Sequence, residues 1–295
     1  MDKRITLVLG SGAARGLAHI GVIRVLEEEG FEVAAITGAS MGALVGGVYA
    51  AGKLDAYVEW VRSLTRRDIL RYLDVSLSAS SGILKGDLII EAVRDLVGNV
   101  SIEDLPVPFI AVATDLSARK EVWLARGNLF EAIRASIAIP GVFTPLRMGG
   151  RWLVDGGLLN PIPVAPAAQM LSGFTIAVDV SGSRSADPLG GSVARRHKQE
   201  PQVRRKIDEF LESIQNRLGA ESPGKLNRPS LSEVLLNSFE TMQETLTRYR
   251  LAANPPDLLI SIPRNICNAH EFYRASELIE AGAWWARRAL ETAEI

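Results

Sequence analysis

From Val33 to Gly52 the chain reads VAAITGASMGALVGGVYAAG: a short apolar run, a serine flanked by glycines, then a stretch of small residues with helical character. Its centre, Gly38-Ala39-Ser40-Met41-Gly42, has the GxSxG spacing of a nucleophile elbow. In such an elbow a sharp strand-to-helix turn lifts the serine hydroxyl clear of the sheet, and the glycines avoid side-chain clashes. Ser40 is therefore the lead nucleophile. A glycine-rich helix start carries the same pattern without any chemistry, so the motif needs partners elsewhere in the chain.

Working outward, Ile5 to Leu9 reads as a buried strand followed by the small-residue turn Gly10-Ser11-Gly12-Ala13-Ala14-Arg15-Gly16. Leu17, Ile20, Val22, Ile23 and Leu26 share one helical face, and Gly30 is a helix stop. Strand, glycine loop, helix, strand, elbow and helix in succession imply an α/β protein with parallel pairing and helical crossovers. Beyond the elbow, Leu54 to Asn99 is mainly helical, with a break around Ser76 to Gly82 and a last helix Asp87–Val97 closed by Gly98. Strands are expected at Phe109–Thr114, Glu121–Leu124, Trp152–Val154, Phe174–Val180 and Leu258–Ile262. Helices are expected at Asn128–Ser136, Leu231 to about Ala252 and Phe272–Thr292. With no internal repeat and no clean linker, residues 1–295 read as one domain carrying a variable surface insertion at about 181–232. Within that insertion only Val203–Leu218 is amphipathic.

Composition narrows the class. Of the 295 residues 47% are hydrophobic and 23% charged, ordinary values for a soluble globular protein. The net charge of −1 argues against a nucleic-acid partner, since the one dense basic run, Arg195-Arg196-His197-Lys198, is flanked by acids. The N-terminus begins like a secretory signal, but Arg15 and His19 interrupt its apolar core. No run of about 18 apolar residues suggests a transmembrane helix. A cytoplasmic location is expected, in keeping with the single cysteine, Cys267.

Two further sites stand beside Ser40. The loop GSGAARG places backbone N–H groups at a helix start, where they suit a developing oxyanion. A dinucleotide-binding turn is its rival, weakened because Arg15 fills a position that fingerprint gives to Gly or Ala. Asp155, at a strand end and followed by Gly156 and Gly157, is either a turn aspartate or a base for Ser40. Of the histidines, His270 alone could complete an α/β-hydrolase order, Ser40-Asp155-His270.

Gly10 to Gly16, Gly38 to Gly42 and Asp155 to Gly157, in this order, resemble the patatin-like phospholipase family, in its bacterial and NTE-type branch. The segments GILKGD at 82–87, ATDLSAR at 113–119, RASIAIPGVFTP at 134–145 and LVDGGLLNPIPV at 153–164 carry the same resemblance. It implies a three-layer α/β/α sandwich with a mostly parallel central sheet, and a dyad of Ser40 as nucleophile and Asp155 as base, without histidine. It also implies an oxyanion loop of Gly10, Ser11, Gly12, Ala13, Arg15 and Gly16, with Gly12 and Ala13 as the main donors and Arg15 as a brace. Gly38, Gly42, Gly156 and Gly157 support the elbow and the aspartate. Many members have three or four consecutive glycines where this chain has Ser11, Ala13 and Ala14.

The implied activity is hydrolysis of fatty acyl esters, phospholipid or lysophospholipid, with no cofactor and no metal. Leu44, Val45, Leu77, Ile83, Leu84, Ile139, Val142 and Phe143 are candidates for an acyl channel. The sequence shows no strong amphipathic anchor, so only weak peripheral contact with a membrane is expected. A triad esterase and a non-catalytic regulatory or binding protein on the same fold remain alternatives.

Overall fold

A computed structural model of the chain describes residues 3–72, 82–170, 173–191 and 231–295. The expected break at 76–82, Leu77, most of the insertion and the stretch 203–218 therefore lie outside the described residues, Gly82 excepted. In chain order the first half runs β1 (Arg4–Leu9), α1 (Ala18–Glu28), β2 (Glu32–Ala39), α2 (Met41–Ala50), α3 (Leu54–Ser63), α4 (Arg66–Tyr72), β3 (Gly82–Leu84) and α5 (Asp87–Val97). The chain continues with β4 (Phe109–Asp115), β5 (Lys120–Leu124), α6 (Leu129–Ser136), β6 (Gly141–Phe143), β7 (Leu146–Met148), β8 (Arg151–Asp155) and α7 (Val164–Ala167). Next come β9 (Phe174–Gly182), α8 (Leu231–Ala253), β10 (Leu258–Pro263) and α9 (Ala275–Thr292).

The main sheet has eight strands in the order β10-β9-β1-β2-β4-β8-β7, with β5 also on β4. From β10 to β4 every pairing is parallel. These strands are near-continuous apolar runs because both faces are covered. Ile5, Leu7 and Leu9 of β1 enter the large core with α1, α2 and α9, whereas Val8 packs with Ile162, Val164, Ala177 and Leu251 under α7 and α8. That alternation makes the three layers. Helices α1 and α9 meet at backbone distance: a Cβ on Gly21 would lie 1.9 Å from the Ile279 carbonyl oxygen, and one on Gly282 2.0 Å from that of Ala18.

Local signals account for the element ends. Asn128 Oδ1 accepts from the N–H groups of Phe130 (2.9 Å) and Glu131 (3.1 Å), starting α6. Gly98, at φ 90°, stops α5. The structure adds elements that periodicity could not reveal, namely β7, the short α7 and a two-stranded sheet of β3 with β6. The sheet is also less uniform than expected, since β5, β7 and β8 pair antiparallel.

One consequence of that antiparallel half positions the site. Ala111 and Val112 of β4 pair with β2 on one edge and β5 on the other. Ala113 pairs with Val122 of β5 and with Asp155 of β8, so β8 takes up the edge that β2 has vacated. Strands β2 and β8 thus run toward each other along one edge of β4. The first ends at Ala39 opposite Val112, the second at Asp155 opposite Ala113. The residues after Ala39 and at Asp155 must meet there, although 115 positions separate Ser40 from Asp155 in the chain.

Candidate active site

Ser40 forms the corner between β2 and α2 with φ 55° and ψ −124°. A non-glycine residue in such a conformation costs about 1–3 kcal/mol and is held there by its surroundings. Crowding makes the flanking glycines necessary: a Cβ on Gly38 would lie 2.5 Å from the Gly42 carbonyl carbon, and one on Gly42 2.1 Å from the Leu9 carbonyl oxygen. Ser136, at the end of α6, fastens the corner to the sheet. Its Oγ accepts from the Ser40 N–H (2.9 Å) and donates to the Val112 carbonyl (2.6 Å). Helix α2 points its positive end at Ser40, a favourable field for negative charge at the hydroxyl.

Asp155 is fully buried. Its Oδ1 accepts from the Gly157 N–H at 2.7 Å, while Oδ2 has no hydrogen-bond partner. Burial pushes the carboxyl up from 3.8 to about 7. The Ser40 hydroxyl and the Gly157 N–H both favour the charged form, but neither offsets desolvation. Ser40 is thus near enough to act on the carboxylate, yet Oδ2 closes no hydrogen bond with it. Gly156 is again needed for close approach, since an added Cβ would lie 2.0 Å from the Val112 carbonyl oxygen, and one on Gly157 would displace Gln243 Nε2, 2.1 Å away.

The loop before α1 divides its donors. The N–H groups of Gly10, Ser11, Ala14 and Arg15 are bonded to the carbonyls of Val178 (3.0 Å), Pro161 (2.8 Å), Ala269 (3.1 Å) and Gly12 (3.1 Å). The backbone N–H groups of Gly10, Ser11 and Arg15 therefore shape the loop and are not free to donate into the cleft. The N–H groups of Gly12 and Ala13 have no partner among the described residues, and both residues line the cleft that also exposes Ser40. Ala13 adopts φ 48°, the left-handed region that glycine enters without steric cost. Gly16 packs against α2, where a Cβ would lie 2.4 Å from that of Met41. The Arg15 guanidinium donates to Glu240 Oε1 (2.9 Å) and the Arg264 carbonyl (3.5 Å).

Several residues around this centre escaped the sequence reading. His19 is buried in α1, with Nε2 2.8 Å from the Gly10 carbonyl oxygen. Because a carbonyl only accepts, Nε2 carries the proton, and burial pushes the ring down to about 4. Gln243 of α8 donates to Ser11 Oγ (3.1 Å), and Glu240, one turn earlier, holds Arg15. Polar residues at helical spacing read as a solvated face, so nothing in the sequence marked them. Ser136 lies within a segment that carried the family resemblance, but its bond to the elbow is a tertiary fact.

The cleft over Ser40 has a volume of about 1410 Å³ and largely polar walls, including Arg264, Glu240 and Glu244. Of the expected acyl-channel residues Ile139 lines it, whereas Leu44 and Val45 are buried in the core. His270 is exposed at the rim of the cleft and bonds neither Ser40 nor Asp155. Among the described residues, no cluster of His, Cys, Asp or Glu side chains is arranged to hold a metal ion.

A family model for patatin-like phospholipases matches residues 7–168, more than half of the chain. The match contains the glycine loop, the elbow and Asp155. An uncharacterised NTE family protein of Mycobacterium tuberculosis is 44% identical, covering 100% of this chain and 93% of its own length. The neuropathy target esterase sws of Drosophila melanogaster is 33% identical over 62% of this chain and 13% of its own. Patatin-like phospholipase domain-containing protein 6 of Mus musculus is 34% identical over 62% of this chain and 14% of its own. With the full-length match to a mycobacterial relative and the family model spanning all three motifs, the chain belongs to the patatin-like phospholipase family.

Proposed function

We propose that this protein is a serine acyl hydrolase of fatty acyl esters, phospholipid or lysophospholipid, working through Ser40 and Asp155. The observation that carries the reading is the buried Asp155 carboxylate, with Oδ2 unpartnered and its acidity near neutrality, beside a strained elbow serine. A base titrating near the operating pH combines a usable ionised fraction with real proton affinity. Asp155 Oδ2 takes the proton from Ser40 Oγ as Oγ attacks the ester carbonyl carbon. The N–H groups of Gly12 and Ala13 receive the tetrahedral oxyanion. Collapse expels the alcohol, which leaves with the proton from Asp155. Water then attacks the acyl-serine with Asp155 again as base, releasing the fatty acid and restoring Ser40.

A triad through His270 is less well supported, because that ring is exposed and bonded to neither partner. Turnover of a p-nitrophenyl ester separates the two. His270→Ala is expected to retain activity, and Asp155→Asn to lose about 10²–10⁴-fold. The reverse pattern in folded variants would reject the dyad and favour the triad. Folded wild-type protein that hydrolyses no ester and labels with no serine-directed probe would instead favour a binding protein on this fold.

A further inference from the structure

Beyond the catalytic cleft, an exposed apolar surface lies at the same end of the sheet. Strand β4 continues three residues past Val112, the partner of Ala39, and so carries its turn about 10 Å beyond the end of β2. That turn is shaped by Asp115, whose Oδ1 accepts from the N–H groups of Ser117 (2.9 Å) and Ala118 (3.0 Å), and it leaves Leu116 44% exposed. The Leu116 N–H bonds the Trp152 carbonyl at 3.1 Å, continuing the β4–β8 ladder, so both side chains lie on one face. Trp152 is 48% exposed, and Met242 on the facing helix α8 is 52% exposed. Between Leu116 and Met242 runs an apolar groove of about 570 Å³, also lined by Leu158, Leu159 and Leu246. Along α8, Leu235, Met242 and Tyr249 repeat every seven residues and extend the exposed apolar stripe.

On this side of the sheet the exposed cations are Arg119, which lines the groove, and Arg147, opposite Trp152. Arg147 lies over the Trp152 ring at 5.8 Å. Arg119 has no ion pair among the described residues. The cationic rim is local, since the whole chain carries a net charge of −1.

We propose that this face, Leu116, Trp152 and Met242 flanked by Arg119 and Arg147, docks on the surface of an anionic phospholipid bilayer. Apolar and indole tips flanked by arginines match the acyl boundary and the phosphate layer together. A second copy of the chain fits poorly, because self-docking would bring the two cationic rims against each other. The position suits the chemistry: Thr241 of α8 lines both the groove and the cleft over Ser40, so a bilayer seated here lies at the mouth of the cleft. The use of the surface, presenting lipid esters to Ser40, rests on the acyl-hydrolase reading, whereas the surface itself rests on its geometry.

The test is flotation of the full chain, as Ser40→Ala to prevent lipid turnover, with phosphatidylcholine vesicles made with or without phosphatidylglycerol. Binding is expected only with phosphatidylglycerol, weakening as salt rises. It should fall at least about tenfold in Arg119→Glu/Arg147→Glu, and also in Leu116→Ser. Binding indifferent to phosphatidylglycerol, unchanged in both variants, or absent in the parent would overturn the proposal. A concentration-dependent dimer in ultracentrifugation that Leu116→Ser abolishes would also overturn it, by assigning the face to self-association. With Ser40 present, Arg119→Glu/Arg147→Glu should hydrolyse a monomeric p-nitrophenyl ester at the wild-type rate. Hydrolysis without vesicle binding sinks the surface alone. Vesicle binding of the expected pattern with no hydrolysis sinks the hydrolase reading and leaves the surface standing.

Discussion

Replacing Asp155 by Asn should make the protein more stable and nearly inactive, with the gain in stability depending on pH. The substituted amide keeps the shape of the side chain and an acceptor for the Gly157 N–H, which in the wild type reaches Oδ1 at 2.7 Å, and removes the ionisable group. In the folded chain the carboxyl is pushed up to about 7 from 3.8. The folded state therefore holds the proton more tightly than the unfolded chain does. Well below pH 4, where both states are protonated, the carboxyl costs nothing. As pH rises toward 7 the unfolded chain ionises first, and stability is lost until the folded carboxyl ionises as well. The difference in acidity, at about 1.4 kcal/mol for each factor of ten, amounts to about 4 kcal/mol above pH 7. Urea unfolding of wild-type and Asp155→Asn protein across pH 4.5–8.5 measures this directly. The variant should gain stability over wild type progressively with pH and level off above about 7. A stability difference that does not change with pH would refute the reasoning, because the carboxyl would then not be held near neutrality by burial.

Three other substitutions probe the supports of the site. Ser136→Ala strips the Ser40 N–H and the Val112 carbonyl of their shared partner, so unfolding experiments should show a loss of about 1–3 kcal/mol, with turnover of a soluble ester reduced as well. Gly42→Ala forces a Cβ to 2.1 Å from the Leu9 carbonyl oxygen, and thermal unfolding should show destabilisation of at least about 3 kcal/mol or no folded protein. His19→Leu leaves the Gly10 carbonyl without its donor and should weaken the fold at pH 7. It should also remove an acid-side loss: a ring pushed down to about 4 stabilises the fold above about pH 6.5, and that stability disappears as pH falls toward 4. Wild-type stability that stays flat between those values, or a mutant with the same slope, would contradict the buried neutral ring.

The motifs and the strand order near the N-terminus were legible because their physics is local. A GxSxG turn needs glycines where backbones cross, and Gly38 and Gly42 stand where added Cβ atoms would collide. The expected helix Asp87–Val97 ends as the sequence implied because Gly98 alone supplies φ 90° there. The meeting of Ser40 with Asp155 was not legible. It depends on β8 running antiparallel into the edge of β4 that β2 leaves open, and no periodicity in residues 151–155 records a strand's direction. Which N–H groups are free depends on Val178, Pro161 and Ala269, remote carbonyls that claim Gly10, Ser11 and Ala14. The contributions of Glu240 and Gln243 come from a helix whose polar residues look like any solvated face until Arg15 and Ser11 are seen against them.

Intact-mass and peptide mapping after treatment with a fluorophosphonate tests the central claim most directly, since that reagent phosphonylates only a serine made nucleophilic by its surroundings. One adduct per chain on Ser40 is expected, absent from Ser40→Ala and slowed by orders of magnitude in Asp155→Asn. Folded protein that forms no adduct, or that carries it on another residue, would contradict a Ser40 nucleophile activated by Asp155.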